Sequence, residues 1–291
     1  YPPLMIIKKD GSTLYATRDL ATDKFRFNKH GKDVLIINEV GIEQSLYFKQ
    51  IFEVEKMLGW VKDGQRIHVK HGHYRFKDEK MSTRKGNVIW LEEVLEEAIR
   101  RAYKLSSDAS FNNNLENNKR NRFDHLMNEE EARKTAKDVA IGAIKWNDLK
   151  RSSKLDIIFD WDEILNMQGD SGPYIQYTYV RTQSVLAKAK VLSIKYKVLS
   201  IKLEPEELSL LRSLNRFQEV VGEAGENFAP NIVCNYLFDL AQKFNLFYQK
   251  HKILVGDVGE IRDFRVFLTA AVGQVIKNGL YLLGIKAPTK M

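Results

Sequence analysis

The chain has 291 residues, 44% hydrophobic and 11% aromatic, and a formal net charge of +8. That is enough apolar side chain for a large core, and it excludes a mainly disordered polypeptide. The single cysteine, Cys234, excludes an internal disulfide framework and a four-cysteine zinc site, and suits a reducing cytosol. No apolar run approaches the roughly 18–20 residues of a membrane span, so no membrane association is expected. No charged-then-apolar leader opens the chain. It begins Tyr1-Pro2-Pro3 without a starting Met, which leads us to expect the C-terminal part of a longer protein. Both ends of the sequence are basic and residues 105–168 are slightly acidic. Two regions meeting a polyanion would produce that pattern, as would ordinary solvated surface.

The first hundred residues alternate strand and helix. Residues 4–7 and 13–15 read as a hairpin around Asp10-Gly11, with Tyr15 ending a strand and a helix opening near Thr17. Residues 34–37 (Val-Leu-Ile-Ile) predict a strand covered on both faces. Residues 43–58 predict a helix stopped by Gly59, residues 67–71 the next strand, and residues 91–105 a helix whose early acids and late bases suit its dipole. Residues 106–128 are polar and Asn-rich, a variable insert. Helical patterning then dominates, with a short strand at 157–159 and long helices at 208–228, 232–250 and 264–283. Val191-Leu192-Ser193-Ile194-Lys195 recurs at 198–202, too few copies for a solenoid and read as a basic amphipathic element. The expected fold class is α/β followed by all-α, with domains at 1–168 and 169–291.

Several stretches carry chemistry. Lys80-Met81-Ser82-Thr83-Arg84-Lys85-Gly86 places three cations and two hydroxyls before a Gly hinge. Such a loop can follow a triphosphate, and a solvated basic loop fits the same composition. Tyr15 and Asp19 are predicted at the carboxyl edge of the sheet, where a carboxylate beside a phenol suits a cationic, planar guanidinium. In the alternative reading Asp19 is a dipole-favoured carboxylate in a first helical turn. Gly41, Glu43 and Gln44 lie at the next strand-to-helix junction, where Gly lets backbone approach a ligand. His68, His71 and His73 lack a thiol or carboxylate cluster to complete a shell, so no metal site is predicted. His71-Gly72-His73 is read instead as backbone passing close to a flat ligand. In the helical part, Tyr174, Tyr177 and Arg181 share a face one turn apart, and Tyr248 lies among aromatics and cations. Either set suits stacked RNA bases or an ordinary helical core.

Taken together and in order, Tyr15-Ala-Thr-Arg-Asp19-Leu-Ala, the Gln44 helix, Lys80 to Gly86, Gly169-Asp-Ser-Gly-Pro-Tyr-Ile-Gln-Tyr177 and the terminal 283–291 segment resemble arginyl-tRNA synthetases over essentially the whole chain. The resemblance implies the C-terminal half of a class I Rossmann catalytic domain followed by an α-helical anticodon-binding domain. It implies that Tyr15, Asp19 and Gln44 hold the arginine. Gly41 and Glu43 would lie near the ATP ribose, His71, Gly72 and His73 near the adenine. Lys80, Met81, Ser82, Arg84 and Lys85 would form the loop on the triphosphate. Tyr174, Tyr177, Arg181, Tyr248 and Met291 would receive anticodon bases. The implied reaction is ATP-dependent activation of arginine, with Mg²⁺ as part of the ATP complex, and transfer to the 2′-hydroxyl of tRNA(Arg). A cytoplasmic monomer is expected. Three departures stand out: Thr83 replaces a signature Lys, Tyr47 stands where many relatives have His, and the His-x-Gly-His element is absent. The chain alone is therefore expected to be inactive. The competing readings are a non-catalytic tRNA-binding module and a class I synthetase for another amino acid such as cysteine, the latter disfavoured by Tyr15 with Asp19 and by the lack of a thiolate-binding metal cluster.

Overall fold

The computed structural model describes residues 1–76, 90–107, 128–189, 202–254 and 259–291. The chain divides into two compact units, one of Tyr1–Arg75 with Ser153–Ile157, the other of Phe76–Ser152 with Ile158–Met291. The loop at 80–86, most of the 106–128 insert and the repeat at 191–201 lie outside the described residues.

The first unit opens on the Asp10-Gly11 turn, with Gly11 at φ +80°, but the hairpin reduces to a single antiparallel bridge, Ile7 to Thr13. Tyr15 does not end a strand. It is the first residue of helix α1 (Tyr15–His30). The cause is Thr17, whose Oγ1 accepts the Leu14 N–H at 3.2 Å and donates to the Ile6 carbonyl. That cap starts the helix two residues earlier than the sequence suggests and puts Asp19 in its second turn. Strand β1 (Ile36–Gly41) runs through a 3₁₀ turn (Ile42–Gln44) into α2 (Ser45–Met57), and Gly59 at φ +67° ends that passage. Strand β2 (Arg66–His71) pairs in parallel with β1, Ile36 opposite Arg66 and Gly41 opposite His71. This is a strand–helix–strand unit of the α/β kind. The expectation that β1 is covered on both faces fails among the described residues: Leu35 and Ile37 remain 48% and 47% exposed, because only the even-numbered side packs.

The core of this unit is Ala16, Leu20 and Ile51, flanked by Tyr47, Phe52 and Trp60. Beside it lies a buried ionic triad. Arg66 bonds Asp23 of α1, its Nε lies 2.8 Å from Glu55 Oε2 of α2, and its guanidinium sits 4.8 Å from the Phe52 ring centre. Burial, and the neighbouring Asp23 carboxyl, push the Glu55 carboxyl up to about 8 against the pull of Arg66. Two carboxyls share one guanidinium there, and the folded state keeps a proton on Glu55 that the unfolded chain releases in the ordinary carboxylate range. The folded state thus binds more protons in that window, so its stability falls as pH rises from the ordinary carboxylate range to about 8. Denaturant titrations at several pH values should show this decline, and Glu55→Gln, a neutral isostere, should flatten it. An unchanged slope in that variant would contradict the assignment.

The second unit is built on helices α3 (Leu91–Ser107) and α4 (Glu129–Leu149), with strands β3 (Tyr74–Phe76) and β4 (Ile157–Phe159) at its chain boundaries and a short helix α5 (Trp161–Ile164). Asn128 caps α4, accepting from Glu131 N at 2.8 Å while Glu131 reaches back to Asn128 N. There follow α6 (Gly172–Ala189), α7 (Pro205–Asn215), α8 (Phe217–Glu226), α9 (Pro230–Lys250) and α10 (Glu260–Leu282). The single helix expected over 208–228 is two helices: Arg216 N–H bonds the Ser213 and Leu214 carbonyls, a tightening that ends α7 before α8 begins. Two apolar clusters result. Ile175, Leu210, Leu237, Phe244, Phe247 and Ile276 belong to the larger, made by α6 to α10. The smaller joins Ala98 and Ala102 of α3 to Ala136, Ala140 and Ala143 of α4 and Phe159 and Ile164 beyond.

Candidate functional site

In the first unit the carboxyl ends of both strands coincide, since the parallel register pairs Gly41 with His71. Glu43, on the 3₁₀ turn after β1, folds back over Gly41, where a Cβ would lie 2.3 Å from Glu43 Oε1. Glu43 Oε2 also lies 3.3 Å from His73 Nε2. His71 places Nε2 3.5 Å from Glu39 Oε1 and Nδ1 2.8 Å from the Gly72 carbonyl. Gly41, Glu43, His71 and His73 are thus gathered at one sheet edge. Gly72 behaves differently from its reading as a ligand-facing glycine: a Cβ there would meet the Leu155 carbonyl at 2.5 Å, so its close approach is to the chain's own backbone. Gly72 N–H donates to the Ser153 carbonyl at 2.8 Å in the same contact. His68 lies against Phe48, ring centres 4.6 Å apart, with Nε2 3.0 Å from the Val40 carbonyl oxygen. Among the described residues no group of three or more His, Cys, Asp or Glu is placed to hold a metal ion.

The predicted arginine ligands lie nearby. Tyr15 and Asp19 are one turn apart on α1, and both are exposed, Tyr15 at 79%. Asp19 accepts a hydrogen bond from the Tyr47 phenol on α2. Gln44 is the exposed residue that leads into α2, one turn before Tyr47. Lys80, Met81, Ser82, Arg84 and Lys85 lie outside the described residues.

In the second unit α6 and α9 assemble an aromatic–cationic platform. Arg181 lies between Tyr177 and Tyr248, 4.9 Å and 5.0 Å from their ring centres, and donates to Asn245 Oδ1. Asn245 Nδ2 in turn donates to the Tyr174 hydroxyl at 2.9 Å and to Thr178 Oγ1 at 3.1 Å. The structure therefore brings Tyr174, Tyr177, Arg181 and Tyr248 into one network. Sequence reading missed Asn245, its hub, because a lone Asn on an apolar helix carries no signal. Met291 is elsewhere, packed on the smaller cluster of α3 and α4. Gln176, also unnoticed in sequence, is fully buried and donates to the carbonyls of Asp138 (3.1 Å) and Lys286 (2.8 Å), tying α6 to α4 and to the C-terminal segment.

Residues 2–161 match the family model for tRNA synthetases class I (R), catalytic domain. The chain belongs to the class I arginyl-tRNA synthetase family. Residues 175–291 match the DALR anticodon binding domain. Among curated relatives, the arginine–tRNA ligase of Halothermothrix orenii is 38% identical over 294 residues, covering 100% of this chain and 48% of the relative. That of Fusobacterium nucleatum is 39% identical over 291 residues, with coverages of 99% and 48%. The chain thus spans about half the length of the curated relatives it matches. Of solved structures, Thermus thermophilus arginyl-tRNA synthetase superposes with a TM-score of 0.80 at 25% identity, covering 100% of this chain and 52% of that one. The Plasmodium falciparum enzyme, at 22% identity and TM-score 0.76 over 99% of this chain and 47% of that one, shares the fold. The architecture is accordingly a class I synthetase catalytic portion joined to an all-helical DALR domain. No helix among the described residues is long and apolar enough to cross a membrane.

Proposed function

We propose that this chain supplies an arginine–tRNA ligase with part of its arginine and ATP site and with its anticodon reader, the two portions meeting near residues 168 and 169. The observation that carries the reading is the tandem of family matches, a class I (R) catalytic portion at 2–161 followed by an anticodon-binding domain at 175–291. In this reading the Asp19 carboxylate takes the substrate guanidinium through paired hydrogen bonds, with Tyr15 and Gln44 positioning the amino acid. Gly41, Glu43 and the His71 to His73 turn border the nucleoside of ATP. The 80–85 segment follows its triphosphate, which arrives complexed with Mg²⁺. The arginine carboxylate attacks the α-phosphate and releases pyrophosphate. The 2′-hydroxyl of the terminal tRNA adenosine then attacks the adenylate and releases AMP. Little covalent chemistry falls to the protein; positioning and stabilisation of developing charge do the work. Tyr174, Tyr177, Arg181 and Tyr248 receive anticodon bases, while Met291, packed on the α3 and α4 cluster, is not part of that platform. We further assign a monomeric protein working in the cytoplasm.

The test is a charging assay. The purified 291-residue chain, given arginine, ATP, Mg²⁺ and tRNA(Arg), is expected to form no arginyl-tRNA, while the product of the complete reading frame forms it. No charging by that product would overturn the assignment, and charging by the chain alone would overturn its division of labour.

A further inference from the structure

We propose that Tyr47 is a positioning residue for arginine recognition, fixing the Asp19 carboxylate in the orientation that receives the guanidinium. The inference rests on the arginine-site reading above and adds a residue to it.

The observation is the hydrogen bond from the Tyr47 phenol to Asp19 Oδ2, which joins α2 to α1 across 28 residues of sequence. Asp19 itself is exposed on its helix, and an exposed carboxylate samples several rotamers. Tyr47 is half-buried and anchored at both ends. Its ring packs against the Ala16, Leu20 and Ile51 cluster and meets Phe48 edge-on, ring centres 5.5 Å apart. Ala16 and Leu20 flank Asp19 on α1 and are themselves buried. The packing that sets the rotation of α1 therefore also sets the height of the phenol. Burial and the bond to Asp19 push the phenol's pKa up, so it stays a donor at neutral pH.

An ionised carboxylate offers about four lone-pair positions, and the phenol takes one. Oδ1 and the remaining position on Oδ2 stay open, as a guanidinium fork requires. Tyr15, at 79% exposure, has no comparable support from the core. Tyr47 thus removes an ordering cost that the ligand would otherwise meet on binding, which for one side chain is worth about three- to tenfold in affinity.

The experiment measures charging kinetics of the complete reading-frame product carrying Tyr47→Phe or Asp19→Asn. Tyr47→Phe keeps the packed ring and loses the donor. It is expected to raise the KM for arginine about three- to tenfold while leaving the KM for ATP and the unfolding midpoint unchanged. A purely structural role would move both KM values together, and that result, or an unchanged arginine KM, overturns the proposal. Asp19→Asn separates the two levels. If it leaves arginine kinetics intact, the arginine-site reading fails and this inference with it. If it impairs them while Tyr47→Phe does not, only the role of Tyr47 fails.

Discussion

Gly172→Ala is expected to lower the unfolding midpoint of the helical unit by several degrees. Gly172 opens α6 where it crosses α4, and a Cβ there would lie 2.5 Å from the Gly142 carbonyl oxygen and 2.8 Å from its carbon. These are backbone atoms in the middle of α4, so no side-chain rotation relieves the overlap and the helices must separate. Gln176, one turn on, bonds across the same crossing, and a Cβ at Gly142 would in turn meet its Nε2 at 2.7 Å. Overpacking of this kind costs about 1–3 kcal/mol or more, equivalent to roughly 2–4 °C per kcal/mol in a unit of this size. Gly222→Ala is the control. Gly222 lies inside α8 with nothing within 4 Å of its would-be Cβ, so the change should stabilise by up to about 1 kcal/mol. Thermal unfolding of the two variants should therefore move in opposite directions. Equal shifts would mean that the α4–α6 crossing is looser than described.

The largest functional effect is expected from Arg181→Ala. The guanidinium holds Tyr177 and Tyr248 on its two sides, and Asn245 couples it to Tyr174. Removing it takes away a charge and releases both rings. Base–aromatic stacking is worth about 1–3 kcal/mol per base, and one lost phosphate contact lowers the salt slope by about one. Binding of tRNA(Arg) should weaken about tenfold or more, with loss of any preference for the correct anticodon. Arg181→Lys keeps the charge but not the flat, stackable group, so it should preserve the salt dependence and still lose discrimination. If the alanine variant weakens all RNAs alike, the platform is only a basic surface.

The local features of the sequence were readable where the backbone leaves a residue no choice. The Asp10-Gly11 turn and the stop at Gly59 are both positive-φ glycines, and α3 begins with its acids as its dipole favours. Other features depend on partners distant in sequence. The apolar stripe keeps its phase through Arg216, so 208–228 reads as one helix although the backbone tightens there. Helix α1 starts early because the cap comes from Thr17 at its third position rather than from the residue before it. The charges of Asp23, Glu55 and Arg66 resemble solvated helix and strand positions until folding brings them together, Asp23 and Arg66 across 43 residues. The same holds for the sites. Tyr174, Tyr177 and Arg181 are one turn apart and visible as a face, whereas Asn245, which organises them, joins from 64 residues away. Gly72 was legible as a close approach, but only the fold shows that the neighbour is Leu155.

The most direct measurement is binding of this chain to a tRNA(Arg) transcript and to the same transcript with its middle anticodon base changed, each at two salt concentrations. Phosphate contacts alone give an affinity that falls with salt whatever the sequence. A preference for the correct anticodon that persists at both salt concentrations is the predicted result. Equal affinities that fall together as salt rises would contradict it, reducing the Arg181 platform to core packing beneath a basic surface.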